Sequence, residues 1–255
     1  MWKEPRKRDA AASLAEHSPR EQAPPGDAAE EHPFGYAIVE HTVSDHRIGE
    51  DPLNLFPRAL TKLNTLWKKT TYPFAAFGRG CSVHSSCDLL RSHARWISLG
   101  DGVFIAPHVW LNTVAETPSR HVRIVLGNGC RIGRRSTISA RNQITLEPDV
   151  LLGPSVLLMD HNHAYADPER PIHLQGVTTG GRIVIEKNCW LGAGAVVVCG
   201  HGELVIGHNS VIGANAVVTQ SCAPRSVLAG NPARTIRAYD RQSGQWLRSY
   251  AEQSR

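Results

Sequence analysis

Between Leu126 and Ala216 the chain repeats a six-residue phrase. Each phrase opens on an aliphatic residue followed by a small or acidic one: Leu126-Gly127, Ile132-Gly133, Ile138-Ser139, Leu146-Glu147, Leu152-Gly153, Ile185-Glu186, Leu191-Gly192, Ile206-Gly207 and Ile212-Gly213. Four residues after the aliphatic comes a second compact side chain, at Cys130, Ser136, Val150, Val156, Cys189, Ala195, Ser210 and Ala216, with Asn142 as the departure. A period of six is too short for a helical repeat and carries no heptad, so it predicts short strands and turns stacked into a β-helix. The aliphatics point into a narrow central column, and the residues beside them sit at corners where bulk is penalised and glycine is at home. Three phrases make a coil of about eighteen residues, and at roughly 4.8 Å between strands about five coils form a prism about 25 Å tall. One coil cannot bury its own face, so several must stack before the column closes.

Outside the repeat the pattern changes. Residues 1–33 mix Ala, Glu, Arg and Pro without apolar periodicity, a composition that predicts disorder. Residues 34–48 hold enough apolar content for an ordered arm or short strand. Pro57 opens a helix on which Leu60, Leu63 and Trp67 recur at helical spacing and Lys68 and Lys69 fall near the C-terminal end; this stripe is expected to pack on the first coil. The arm and helix together span 34–71, the coil domain 72–238 and a C-terminal extension 239–255, with a frayed helix expected over 246–255. The phrases become recognisable at Leu99-Gly100 and Ile105-Ala106 and lapse between Leu111 and Val125. A much longer lapse runs from Met159 to Arg182 (MDHNHAYADPERPIHLQGVTTGGR), and Val197–Ile206 is three residues longer than an unbroken count of sixes.

Composition narrows the class. The chain has 255 residues, 41% of them hydrophobic but only 6% aromatic, which suits an aliphatic column. No apolar run of transmembrane length and no secretory leader is present, predicting a soluble, cytoplasmic protein. None of the six cysteines forms a Cys-x-x-Cys pair, and Cys130 and Cys189 occupy the compact slot of the repeat, so packing explains them. The net charge of +5 is spread along the chain among acids, which argues against a nucleic-acid partner. It leaves room for a local anion site at Arg225, Arg234, Arg237, Arg241 and Arg248.

Chemistry concentrates in the long lapse. Long loops in compact domains are usually functional or disordered, and this one carries His161, His163 and His173 with Asp160, Tyr165 and Asp167 between them. Neutral imidazole takes a proton near pH 7 and returns it in a later step, the requirement for a general base on a hydroxyl or amine. On extended backbone His161 and His163 face the same way, so both could reach one cleft, with Asp160 or a carbonyl orienting one ring.

The histidine-bearing excursion, followed by CWLGAGAVV and then VIGANAVVTQSCAPRSVLAGNPARTIR, resembles the hexapeptide-repeat acetyltransferases with a left-handed parallel β-helix, over about residues 72–238. The loop DHNHAYADPERPI is most similar to the exopolysaccharide and lipopolysaccharide O-acetyltransferase branch, including the colanic-acid type. The resemblance implies an acyl-CoA-dependent O-acyltransferase that moves acetyl from acetyl-CoA to a hydroxyl of a sugar or glycoconjugate, without a metal. It assigns His163, which precedes Ala164-Tyr165-Ala166-Asp167-Pro168, as the base, with His161 in reserve because one extra residue separates His163 from Asp-Pro. It places the thioester and pantetheine arm beside Trp190-Leu191-Gly192, with backbone contacts at Ala214 and Thr219, and the CoA phosphates at Asn231–Arg234 and Arg237. It also implies a homotrimer with active sites between neighbours. Two alternatives keep the same coils. A zinc enzyme of the gamma-class carbonic anhydrase type would use Gly207-His208-Asn209, but Gly213 stands where its next histidine is required. A non-catalytic scaffold would have no use for the histidine loop and the Asn-Pro-Ala-Arg tail together.

Overall fold

The computed structural model describes residues 55–114 and 121–249. The chain falls into two units, Met1–Ile48 and Gly49–Arg255, and every described residue belongs to the second. The expected tail (1–33) and arm (34–48) lie outside the described residues.

The six-residue phrase builds three stacks of short parallel strands. The first face carries Ala76–Phe77, Ile97–Leu99, Ile124–Leu126, Gln143–Leu146, Arg182–Ile185 and Glu203–Ile206. The second carries Ser82–Val83, Phe104–Ile105, Arg131–Ile132, Leu151–Leu152, Trp190–Leu191, Val211–Ile212 and Ser226–Ala229. The third carries Trp110–Thr113, Thr137–Ala140, Leu157–Met159, Val196–Val198 and Val217–Val218. Register follows the phrase: Leu126 stands opposite Leu146, Leu146 opposite Ile185, and Ile185 opposite Ile206. The fold is a left-handed parallel β-helix. Every aliphatic that opens a phrase is at most 1% exposed, and so is every compact residue four places on. The first face has six levels where five coils were expected, because the column begins one coil earlier, at Ala76–Phe77 and Ser82–Val83.

Two of the three corners are tight and recur up the column. Gly80, Gly102, Gly129, Asp149, Asn188 and Asn209 turn the chain from the first face to the second; His108, Arg135, Ser155, Gly194 and Asn215 turn it from the second to the third. All have φ near +60 to +70°, the left-handed region that Gly, Asn and Asp enter at least cost. Where corners stack closely there is no space for a side chain: a Cβ on Gly133 would lie 2.4 Å from the Gly153 carbonyl. Every departure from the count of six falls at the third corner, between the third face and the first. The connections described there in full are 141–142, 160–181 and 199–202; that between Thr113 and Ile124 includes residues 115–120, which lie outside the described residues.

The N-terminal helix spans Leu55–Thr71, but it does not pack as its apolar stripe predicts. Leu60, Leu63 and Trp67 are exposed, and the polar side caps the end of the column. Asn64 Nδ2 and Thr65 Oγ1 donate to the Val83 carbonyl at 2.9 and 3.2 Å, the Val83 amide donates to Thr65 Oγ1 at 2.9 Å, and Lys68 reaches the Cys87 carbonyl at 3.5 Å. Among the described residues the first coil has no further coil below it, so its backbone groups need hydrogen-bond partners more than its surface needs apolar cover. At the other end, Arg234–Asp240 and Gln245–Arg248 continue the second face as antiparallel strands in place of the expected frayed helix. A turn at Gly244 (φ +68) and edge-to-face packing of Tyr239 on Trp246, 5.5 Å between centroids, hold this hairpin.

Candidate active site

The long excursion leaves and re-enters the column through a narrow neck. The Gly181 amide donates to the Asp160 carbonyl at 2.7 Å, the Thr178 amide to the Asn162 carbonyl at 2.7 Å, and the Ala164 amide to the Gly176 carbonyl at 3.0 Å, while His163 bridges Val177 in antiparallel fashion. The distal part is ordered by its own side chains. Gln175 Nε2 donates to the carbonyls of Asp167 and Arg170, and Asp167 Oδ1 accepts from the Glu169 amide. Tyr165 at its tip is 74% exposed.

At the root of the neck sits a buried charge. Asp160 is fully buried, and its carboxylate accepts from the Arg141 amide at 2.7 Å and the Asn142 amide at 2.9 Å. His161 Nδ1 lies 3.0 Å from Asp160 Oδ1 and the imidazole is 7% exposed. A carboxylate can only accept, so Nδ1 carries the proton in this pair and Nε2 is left with the lone pair. Asn142 Nδ2 donates across the neck to the carbonyls of Thr179 and Gly181. Arg123 is buried beside this network, its Nη1 donating to the carbonyls of Val114 and Arg141, and burial holds its guanidinium below the usual arginine range. A buried carboxylate is tolerable only when so satisfied. Sequence reasoning missed Arg123, Arg141 and Asn142 as parts of the site. The signal was the break in rhythm at Asn142.

The two candidate bases are therefore separated, where alternation along an extended segment placed them alike. His161 is locked against Asp160, whereas His163 is exposed, and among the described residues its ring has no hydrogen-bond partner. His173 is exposed on the short 3-10 turn Ile172–Leu174, and His201 is exposed in the 199–202 connection. His208 Nδ1 lies 3.1 Å from Glu186 Oε2, a corner contact.

The residues implied for CoA lie along the second face and its corner with the third. Trp190 is half exposed and pairs with Val211, Val211 with Val227, Val227 with Arg237, and Arg237 with Arg248. This outward row ends in cations about three strand spacings, roughly 14 Å, from the indole. Gly192 and Ala214 stack at the adjacent corner, a Cβ on Gly192 falling 2.7 Å from the Ala214 amide nitrogen. Thr219 is exposed just beyond Val217–Val218, and Arg234 is exposed at the start of the first hairpin strand. Of the arginine cluster, Arg237 and Arg248 stand side by side in register. In a three-sided column the second face is opposite the third corner, so the row from Trp190 to Arg237 and the neck with His163 lie on opposite sides of one chain. Among the described residues no cluster of three or more His, Cys, Asp or Glu is arranged to hold a metal ion.

Residues 182–220 match the family described as hexapeptide repeat of succinyl-transferase. The chain is 29% identical to galactoside O-acetyltransferase of Escherichia coli over 62% of its own length and 71% of that protein's. It is 31% identical to a chloramphenicol acetyltransferase of Agrobacterium fabrum over 45% of its length and 51% of that protein's. With the first curated relatives, from Schizosaccharomyces pombe and Escherichia coli, the matched stretch spans about half of their length, 45% and 57%. Among solved structures it superposes on AntD, an N-acyltransferase from Bacillus cereus in complex with dTDP and 3-hydroxybutyryl-CoA, with a TM-score of 0.55 at 18% identity, covering 70% of this chain and 89% of AntD. That likeness is one of fold.

Proposed function

We propose that the chain is a hexapeptide-repeat acyltransferase, a reading that the family match over residues 182–220 and the similarity to galactoside O-acetyltransferase support. In this reading it transfers an acyl group, acetyl first among candidates, from a CoA thioester to a hydroxyl of a sugar-containing acceptor. The observation that carries this reading is the excursion itself. The column spends its longest described break on a loop anchored by a buried carboxylate, and that loop presents an exposed imidazole at His163. The acyl donor is assigned to the row from Trp190 to Arg237. Its exposed indole suits an extended pantetheine arm laid across the face, and Arg234 and Arg237 suit the phosphates that end it.

In the proposed reaction His163 takes the acceptor's hydroxyl proton as the oxygen attacks the thioester carbonyl. Backbone amides hold the oxyanion, the carbon–sulfur bond breaks, and the imidazolium returns its proton to the departing thiolate. Proton and electron pair balance without a covalent enzyme intermediate. Because His163 and the CoA row lie on opposite sides of one chain, the complete site requires a neighbouring copy, and a homotrimer about a threefold axis supplies one.

A second assignment of the base rests on one contact. Asp160 fixes the tautomer of His161 so that Nε2 is free to accept a proton, the arrangement of an oriented general base. Near-complete burial of that ring favours a positioning role, in which the Asp160–His161 pair holds the neck and His163 reaches the acceptor. Thiol release from acetyl-CoA in the presence of mixed glycosides tests the activity. Release that depends on the acceptor supports it, and none with any hydroxylated acceptor overturns it.

A further inference from the structure

The helix Leu55–Thr71 turns its polar side to the coil, and its apolar side is left largely exposed among the described residues. At about 100° per residue, Phe56, Leu60, Leu63 and Trp67 fall within an arc of roughly 60°, and Leu55 and Leu66 widen the apolar arc to about 140°. Phe56 is 76% exposed, Leu63 65% and Trp67 53%. Next to the Leu55–Leu66 edge of this arc, between it and the coil-facing side, runs a ridge of Arg58, Lys62 and Lys69. The helix contains no acidic residue. The ridge borders a groove of about 1180 Å³ whose lining mixes cationic and apolar side chains, Arg58, Lys62 and Arg134 with Leu55, Phe104 and Ile105.

We propose that this helix is an interfacial anchor that docks the protein on a bilayer surface carrying anionic headgroups. Leu, Phe and Trp on one side and cations along its border are the composition of helices that lie in the headgroup region, apolar side at the acyl boundary and ammonium and guanidinium groups on phosphates. The charge complementarity selects an anionic lipid surface over an apolar protein groove, which would have no use for the ridge. Position supports the same occupant. The helix caps the end of the column and its apolar arc faces away from the coil, so copies packed side by side on the prism faces leave the arc open. Docking there would present the enzyme to acceptors held at the membrane without a spanning segment, and none of the described helices is long and apolar enough to cross one.

The test uses the full chain and vesicles of phosphatidylcholine, with and without phosphatidylglycerol. Co-sedimentation is expected with the anionic vesicles, weakening as salt rises because the headgroup attraction is screened. Leu60→Asp with Leu63→Asp is expected to weaken it at least about tenfold, since two apolar side chains leave the acyl boundary. Lys62→Glu with Lys69→Glu should erase the preference for the anionic lipid. Leu60 and Leu63 point away from the coil, so for that pair melting temperature and thiol release with a soluble acceptor should stay at wild-type values; Leu63→Gln is the milder variant if the aspartate pair fails to fold. Absence of vesicle binding by the wild type, or equal binding by the aspartate pair, overturns the proposal. So does a change in sedimentation coefficient of that pair without lipid, which would mean that a second copy covers the arc.

Discussion

At the scale of single residues, exposure and hydrogen bonding give each candidate a different expected phenotype. His163→Ala should lower turnover by about 10² to 10⁴-fold, the usual worth of a positioned acid–base group. Its ring is exposed, so the melting temperature should hardly move. His161→Ala is expected to act through stability, because it strips a partner from a fully buried carboxylate, at a cost of about 1–3 kcal/mol. Faster amide exchange at Arg141 and Asn142 would report the loosened neck. If His161→Ala abolishes turnover in a protein that melts normally while His163→Ala does not, the base is His161. The buried thiols bear on pH dependence. Burial pushes Cys87, Cys130 and Cys189 up to about 11, above the ordinary thiol value of about 8.5. A group raised on folding contributes stability that is complete below its unfolded pKa and is lost as pH climbs toward the folded one. The melting temperature should therefore fall between about pH 8.5 and pH 11, and Cys130→Ala with Cys189→Ala should flatten that alkaline limb in a pH series of thermal melts.

Among elements, the column and its corners make separate demands. Leu152 is 1% exposed, with Ile132 and Leu191 as its register partners above and below, so Leu152→Ala should cost about 2–5 kcal/mol. A melting temperature lower by on the order of 10 °C would register that loss. At the tight corner, Gly133→Ala should destabilise by about 1–3 kcal/mol although it adds only a methyl group, since the new atom meets the backbone of the next coil and not a side chain that can swing away. The third corner has no such constraint. Its connections vary in length at each level, and the site is built from that tolerance, with Arg123, Arg141, Asp160 and His161 drawn from three successive connections.

For the whole molecule the question is how His163 and the proposed CoA row meet. They occupy opposite sides of the coil, so the proposed chemistry needs more than one copy. Sedimentation at micromolar concentration should give a trimer of the 27.9 kDa chain. A sharper measurement mixes two variants expected to be impaired, His163→Ala and Arg237→Glu, through denaturation and refolding. If the site is shared, mixed assemblies contain interfaces with both intact halves and recover part of the activity; if each chain holds its own site, mixing recovers none.

The fold was legible because a β-helix repeats the same local demand at every level: an aliphatic for the column, a compact residue four places on, and a left-handed turn where Gly, Asn or Asp serves. Those demands are local, so they are written in adjacent residues. The position of the long excursion and its histidines was equally plain, since it breaks the rhythm. Tertiary structure decided the rest, because it depends on groups far apart in sequence. The first coil's unpaired backbone turned the polar side of the helix inward, against the promise of its apolar stripe. The Arg141 and Asn142 amides, a full coil away, made Asp160 an anchor and drew His161 into it, leaving His163 outside. The alternation of side chains along a strand cannot register that difference, since it records direction and not what lies there.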